Sequence, residues 1–196
     1  MKVLHPAFVT SILILVLSTV VLSQAKKYDM KSGIIRFETT TQMMGMEIKR
    51  KSVLYFDDYG MKECKETYEG DKLKESFFSD GKNLHTVIFD QKTVWKRGPA
   101  FHGTEYRFDW SEISGKDKKA GKAKQLGKVT VAGKECESYE LTDRGTTTRF
   151  AGWGHLCLLT DLTTKDMHTV TKAVTLEETA TVPAEKFAVP SGFKME

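Results

Sequence analysis

Residues 33–60 read GIIRFETTTQMMGMEIKRKSVLYFDDYG, and their alternation decides the fold class. From Gly33 to Thr41, Ile35 and Phe37 share one face. From Met46 to Phe56, Met46, Ile48, Leu54 and Phe56 share another. A period of two over runs this long is the pattern of a half-buried strand, not of a helix. Gln42 to Gly45 reads as a hairpin turn and Asp57-Asp58-Tyr59-Gly60 as a second turn.

The same texture continues outward. Met61 to Glu69 sets Cys64 and Tyr68 against charge, and Gly70-Asp71 turns into Lys72 to Ser79. Asp80-Gly81 turns into Asn83 to Asp90, and Thr93 to Arg97 carries Val94 and Trp95. Six half-apolar runs at roughly ten-residue spacing predict a meander in one twisted antiparallel sheet with a buried face. Phe108 to Leu126 breaks the pattern. Asp109 or Ser111 there can cap a short helix, and Lys116 to Lys128 reads as a basic linker. Strands resume at Val129 to Val131, Glu135 to Thr142, Thr146 to Trp153 and His168 to Glu177, and Pro183 to Lys186 fits a single helical turn. The expected class is mainly β.

The N-terminus places the protein. Lys2, an apolar run from Ala7 to Leu22, and Ser23-Gln24-Ala25 are the three parts of a secretory signal peptide. Residues 1–25 are expected to be cut off, leaving 26–196 as one domain, exported to the periplasm or beyond. No cysteine follows the apolar run, so no thioether lipid anchor is expected. Of 30 Lys and Arg, one leaves with the leader, and 29 face 26 Asp and Glu. A net charge of +3 predicts no partner by itself.

Three segments, in this order, carry a family resemblance: Tyr55-Phe56-Asp57-Asp58-Tyr59-Gly60, then Gly133-Lys134-Glu135-Cys136-Glu137-Ser138-Tyr139, then residues 182–193, VPAEKFAVPSGF. They resemble marker segments of exported bacterial proteins of unknown function, which are similar to the periplasmic lipoprotein-carrier (LolA/LolB-like) superfamily. Gly152-Trp153-Gly154-His155-Leu156 sits where such proteins often carry a Trp-x-Gly-apolar step. The resemblance implies an incomplete, half-open antiparallel β-barrel with a helical lid, whose concave face holds acyl chains. The carriers place helices beneath the barrel, whereas the helix candidate here, around Trp110, is short.

Candidate functional residues follow from the apolar faces. Phe37, Met46, Ile48, Leu54, Phe56, Trp95, Trp110 and Trp153 are the candidate walls of a hydrophobic pocket, and equally the makings of an ordinary core. Met43, Met44 and Met46 offer soft thioethers that suit Cu(I). Such sites recruit further Met or His, and the sequence places none beside them, so the cluster reads as packing at a turn. His85, His102, His155 and His168 are widely spaced, and the chain carries no nucleophile elbow, zinc spacing or cofactor motif. The lysines from Lys116 to Lys128 offer a surface for anionic membrane but lack the interleaved aromatics of a single-strand nucleic-acid binder.

Cys64, Cys136 and Cys157 are an odd count for an exported chain. Cys136 and Cys157 are the candidate disulfide by position. A hairpin centred on Arg144-Gly145 sets Cys136 opposite Trp153, four residues short of Cys157. That is about 13 Å, against a limit of about 7 Å, unless the chain folds back at Gly152-Trp153-Gly154. The leading expectation is a non-enzymatic envelope protein that binds an acyl chain, lipid or lipidated protein. The alternative is a protein-docking module that holds no small ligand.

Overall fold

The computed structural model describes residues 26–99, 107–112 and 115–196. The expected signal peptide and His102 lie outside them. Twelve strands form one sheet: β1 Gly33–Met43, β2 Met46–Asp57, β3 Lys62–Glu69, β4 Lys72–Ser79, β5 Asn83–Ile88, β6 Thr93–Pro99, β7 Ala123–Val131, β8 Lys134–Asp143, β9 Thr146–Trp153, β10 Leu156–Thr163, β11 Met167–Glu178 and β12 Lys194–Met195. Their spatial order is β12-β6-β5-β4-β3-β2-β1-β11-β10-β9-β8-β7. Two meanders, β2–β6 and β7–β11, are thus joined where β1 pairs with both β2 and β11. Every pairing is antiparallel except β12 with β6. The sheet is open, curled and nearly free of helix: a half-open barrel.

The six predicted strands of the first half are present. Met44 and Gly45 close the β1–β2 hairpin with φ of 51° and 78°, the two-residue geometry whose twist matches the strands. The second half corrects the sequence reading in two places. β10, Leu156-Cys-Leu-Leu-Thr-Asp-Leu-Thr163, is a strand that the alternation did not reveal. Its run of four apolar residues straddles a bulge at Leu158, which breaks the period of two. The expected basic linker is not a linker either. Gly115–Lys119 forms a short helix, α1, and Ala123–Lys128 belongs to β7. β7 is an edge strand, and lysines on an edge replace the apolar alternation of an interior one.

Lys118 donates to the Trp110 carbonyl at 2.8 Å, Lys122 pairs with Asp143 at 3.2 Å and Lys128 with Glu135 at 2.5 Å. Lys118 is thereby engaged within the fold, while Lys122 and Lys128 make solvent-exposed surface pairs. Asp109 accepts from the Ser111 backbone N–H at 2.8 Å, capping a 3-10 turn at Trp110–Glu112.

Among the described residues, three apolar clusters hold the sheet. The central one joins Ile35, Phe37, Leu54 and Phe56 to Leu156, Leu158 and Ala173, under Tyr28 and Met30 of the N-terminal segment. The second joins Cys64, Phe78, Val87 and Val94 under Phe187 and Phe193 of the C-terminal tail. The third joins Phe108, Tyr139 and Cys157 with Trp110 and Phe150.

All three cysteines are free and buried, so the expected Cys136–Cys157 bridge is not formed. The predicted register is present: β8 pairs with β9 from Glu137–Gly152 to Asp143–Thr146. The chain also folds back at Gly154-His155, pairing Trp153 with Leu156. That fold-back carries Cys157 onto β10, one strand beyond β9. Two strand spacings, about 9.6 Å, then separate it from β8. Cys136 and Tyr139 lie three apart on an unbroken strand and so face opposite ways, and Cys157 packs on the Tyr139 side.

Candidate functional site

A trough runs along the strands on the inside of the curl. A cavity of about 460 Å³ takes lining residues from seven neighbouring strands, β9 through β4, among them Phe150, Thr160, Thr171, Thr39, Thr67 and Glu75. Side chains from so many adjacent strands meet only on a concave face. One row of directly opposed residues crosses it: Tyr139, Phe150, Thr160, Thr171, Thr39 and Arg50. The next row is Leu141, Thr148, Leu162, Thr169, Thr41 and Ile48. Thr39 and Thr171 bond through their hydroxyls at 3.0 Å, and so do Thr41 and Thr169. A hydroxyl bonded to its neighbour loses less when water is displaced from it than an unbonded one.

One end of the trough is sealed. Ile35, Phe37, Leu54 and Phe56 continue the face of the threonine rows along β1 and β2 and lie beneath the N-terminal strap. The Lys27 and Tyr28 backbone N–H groups both donate to the Tyr59 carbonyl, at 3.0 and 3.1 Å. Tyr28 packs edge-on against Phe56 with ring centres 5.0 Å apart, its hydroxyl donating to Glu63. Lys27, itself buried, pairs with the same carboxylate at 2.6 Å. Asp29 ties the strap to the β9–β10 turn, donating its N–H to Gly154 at 3.2 Å and pairing with His155 Nδ1 at 2.9 Å.

The segment around Phe108 covers the trough's flank. The Phe108 N–H donates to the His155 carbonyl at 2.9 Å, and Trp110 packs against Tyr139 in a tilted pair with centres 5.1 Å apart. This approach needs a glycine beneath it. A Cβ at Gly152 would stand 2.2 Å from the Phe108 ring.

The eight candidate wall residues do not converge on one cavity. Phe37, Leu54 and Phe56 lie in the packed core at the sealed end, and Trp153 flanks that core under the Lys134 ammonium. Met46 and Ile48 sit at the open mouth, 55% and 39% exposed. Trp110 belongs to the third cluster. Trp95 lies on β6, its indole N–H donating to Glu196 at 2.9 Å.

The trough wall is instead threonine, with cations at Arg50 and Lys65 and the aromatic Phe150. The sequence did carry that signal: the alternation that selects Ile35 and Phe37 also selects Thr39 and Thr41. Arg50 is exposed, and no carboxylate among the described residues pairs with it.

The three described histidines lie apart. His85 is buried against Phe78, 3.4 Å from Asp80; His155 holds the strap; His168 pairs with Asp161 at 2.8 Å. No helix among the described residues is long and apolar enough to cross a membrane.

No family model and no curated protein matches the chain. Solved structures do. An uncharacterized conserved protein from Thermus thermophilus superposes with a TM-score of 0.56 at 8% identity, over 85% of this chain and 90% of that one. MucB superposes with a TM-score of 0.50 at 13% identity, over 86% of this chain and 61% of MucB. A LolA superfamily protein from Nitrosomonas europaea is also similar, at 9% identity and a TM-score of 0.39, over 83% of this chain and 94% of that one. At such identities the likeness is one of fold, and that fold is the half-open barrel of this chain.

Proposed function

We propose that the chain is an exported, non-enzymatic binding protein of the cell envelope whose trough takes one amphiphilic molecule, such as a fatty acid, a phospholipid or the lipidated end of a protein. The observation that carries this reading is the trough itself: open at the β1–β2 end, sealed at the Phe56 end, and walled by threonines whose hydroxyls bond each other. An acyl segment lies along Leu141, Leu162, Ile48 and Phe150. Each methylene removed from water contributes about 0.8 kcal/mol before ordering costs. The unpaired guanidinium of Arg50 faces the charged head, where a carboxylate or phosphate can accept two parallel N–H bonds. A purely apolar ligand would leave Arg50 without that contact.

Native mass spectrometry of residues 26–196, secreted with the leader and purified from the envelope without detergent, tests the reading. A discrete added mass that releases an amphiphile on denaturation is expected, and Ile48→Asp loses it while the fold survives. An apo mass that stays unshifted with phosphatidylglycerol vesicles overturns it.

A second reading rests on β7. This nine-residue strand pairs with β8 and ends the sheet, with Leu126 and Val129 exposed. An open edge can add a strand from a partner protein. Under that reading the protein stays free of lipid, and Val129→Pro abolishes capture of the partner while Ile48→Asp leaves it intact.

A further inference from the structure

The hairpin of Met43, Met44 and Met46 is not alone at the mouth of the trough. The β1–β11 ladder sets Met167 directly opposite Met43, and the β1–β2 ladder sets Met46 directly opposite Met43 on its other side. Directly opposed residues of neighbouring strands point to the same face, with Cβ atoms about 4.5–5.5 Å apart. Three thioethers from three strands therefore stand in one row, on the concave face. They border an open cavity of about 410 Å³, with Met44 on the turn above them. Met167 is the further ligand that the sequence did not place near this hairpin, because 121 positions of chain separate it from Met46.

We propose that Met43, Met46 and Met167 form a binding site for a soft monovalent cation, Cu(I) or Ag(I). Three observations support it. Thioether sulfur is a soft donor, suited to Cu(I) and poorly suited to the hard cations that carboxylates take. Three donors on adjacent strands can surround one ion from one side, and the unbranched methionine side chain has enough torsions to bring sulfur to it. The site is also accessible: Met46 is exposed and Met43 and Met167 half-buried. An ordinary core would have covered such residues.

Binding is coordination alone, with no electron transferred. A thioether carries no proton to lose, so this site differs from imidazole or thiolate sites, whose affinity falls as their ligands protonate. The charged and titratable groups around the cavity are Glu47, Lys165, Asp166 and His168. Glu47 pairs with Lys49 at 2.9 Å. His168 follows Met167 and so points to the other face, where Asp161 holds it at 2.8 Å. None of these is needed as a ligand.

The test uses residues 26–196 labelled with ¹³C-methyl methionine and titrated with Ag(I). The methyl signals of Met43, Met46 and Met167 shift together and saturate at one ion per chain, while those of Met30, Met61 and Met195 stay in place. Competition against bicinchoninate gives a Cu(I) affinity that is flat from pH 8 to pH 5. It weakens at least tenfold in each of Met43→Leu, Met46→Leu and Met167→Leu, which keep side-chain volume and hence the fold. The proposal is overturned if the triple leucine variant binds like wild type. It is equally overturned if the methyl signals do not move, as a plain apolar lip for the amphiphile would have it. A third contrary result is an affinity that collapses below pH 6.5 and is lost in His168→Ala, which would make the site an imidazole one.

Discussion

The two ends of strands β1 and β2 share one ladder, one face and one alternation, yet they behave as opposites. At the sealed end Ile35, Leu54 and Phe56 are at most 1% exposed; at the mouth Ile48 and Met46 are 39% and 55% exposed. The strands themselves do not make that difference. The strap does: Tyr28 and Met30 lie on the first end, and no described element covers the second in the same way. Alternation selects a face, and what crosses the face selects its depth.

The comparison can be broken most forcefully at the sealed end. Phe56→Ala removes a fully buried ring beneath Tyr28 and is expected to cost about 3–5 kcal/mol in urea unfolding. A loss under 1 kcal/mol would mean that the strap does not pack as described. The next largest effect lies under the C-terminal tail. Lys186 pairs with the buried Glu66 at 2.5 Å, and Tyr68 donates to the same carboxylate at 2.7 Å. Lys186→Ala leaves a buried charge with only neutral partners, the Tyr68 and Tyr55 hydroxyls, and is expected to cost about 2 kcal/mol, less than a fully buried pair because Lys186 is partly solvated.

The same variant reads out on Cys64. Burial first, and the Glu66 charge second, push its thiol up to about 12, so at pH 8 it is protonated and inert. None of the three thiols should react with a disulfide reagent in the native protein, and all three should react in urea. The Lys186 charge opposes that rise, so Lys186→Ala should leave the Cys64 thiol harder to ionise and its labelling in the native protein no faster.

At the mouth the effects shrink. Ile48→Ala should change stability by no more than about 0.5 kcal/mol while weakening amphiphile retention, the reverse of Phe56→Ala. The smallest expected effect is electrostatic. Hydrogen bonds from Lys72 and Lys74 hold the exposed Asp90 carboxyl down to about 2. A depressed carboxylate stabilises the fold above its unfolded pKa of about 4 and loses that contribution as pH falls toward 2. The melting-temperature gap between wild type and Asp90→Asn should therefore narrow from pH 5 to pH 2.

Much of this architecture was legible in the residues. The first meander and its turns follow from alternation and Gly- or Asp-bearing breaks, and the β8–β9 register follows from placing one hairpin at Arg144-Gly145. The half-open barrel follows from the family resemblance of three short segments. β10 was hidden because a bulge at Leu158 breaks the period, and the first part of β7, Ala123 to Lys128, because an edge strand has no reason to alternate.

The site was less legible still. Apolar character drew attention to Phe37, Leu54 and Phe56, which a core consumes, and away from Thr39, Thr160 and Thr171, which line the open space. Met167 meets Met43 through a ladder that no local pattern announces.

The most direct test of the trough is amide hydrogen exchange with and without palmitate. The account predicts slower exchange across residues 39–50 and 160–171, with no change at residues 33–37 and 54–57, which the strap already protects. Slowing confined to residues 123–131, or none at all, would contradict it.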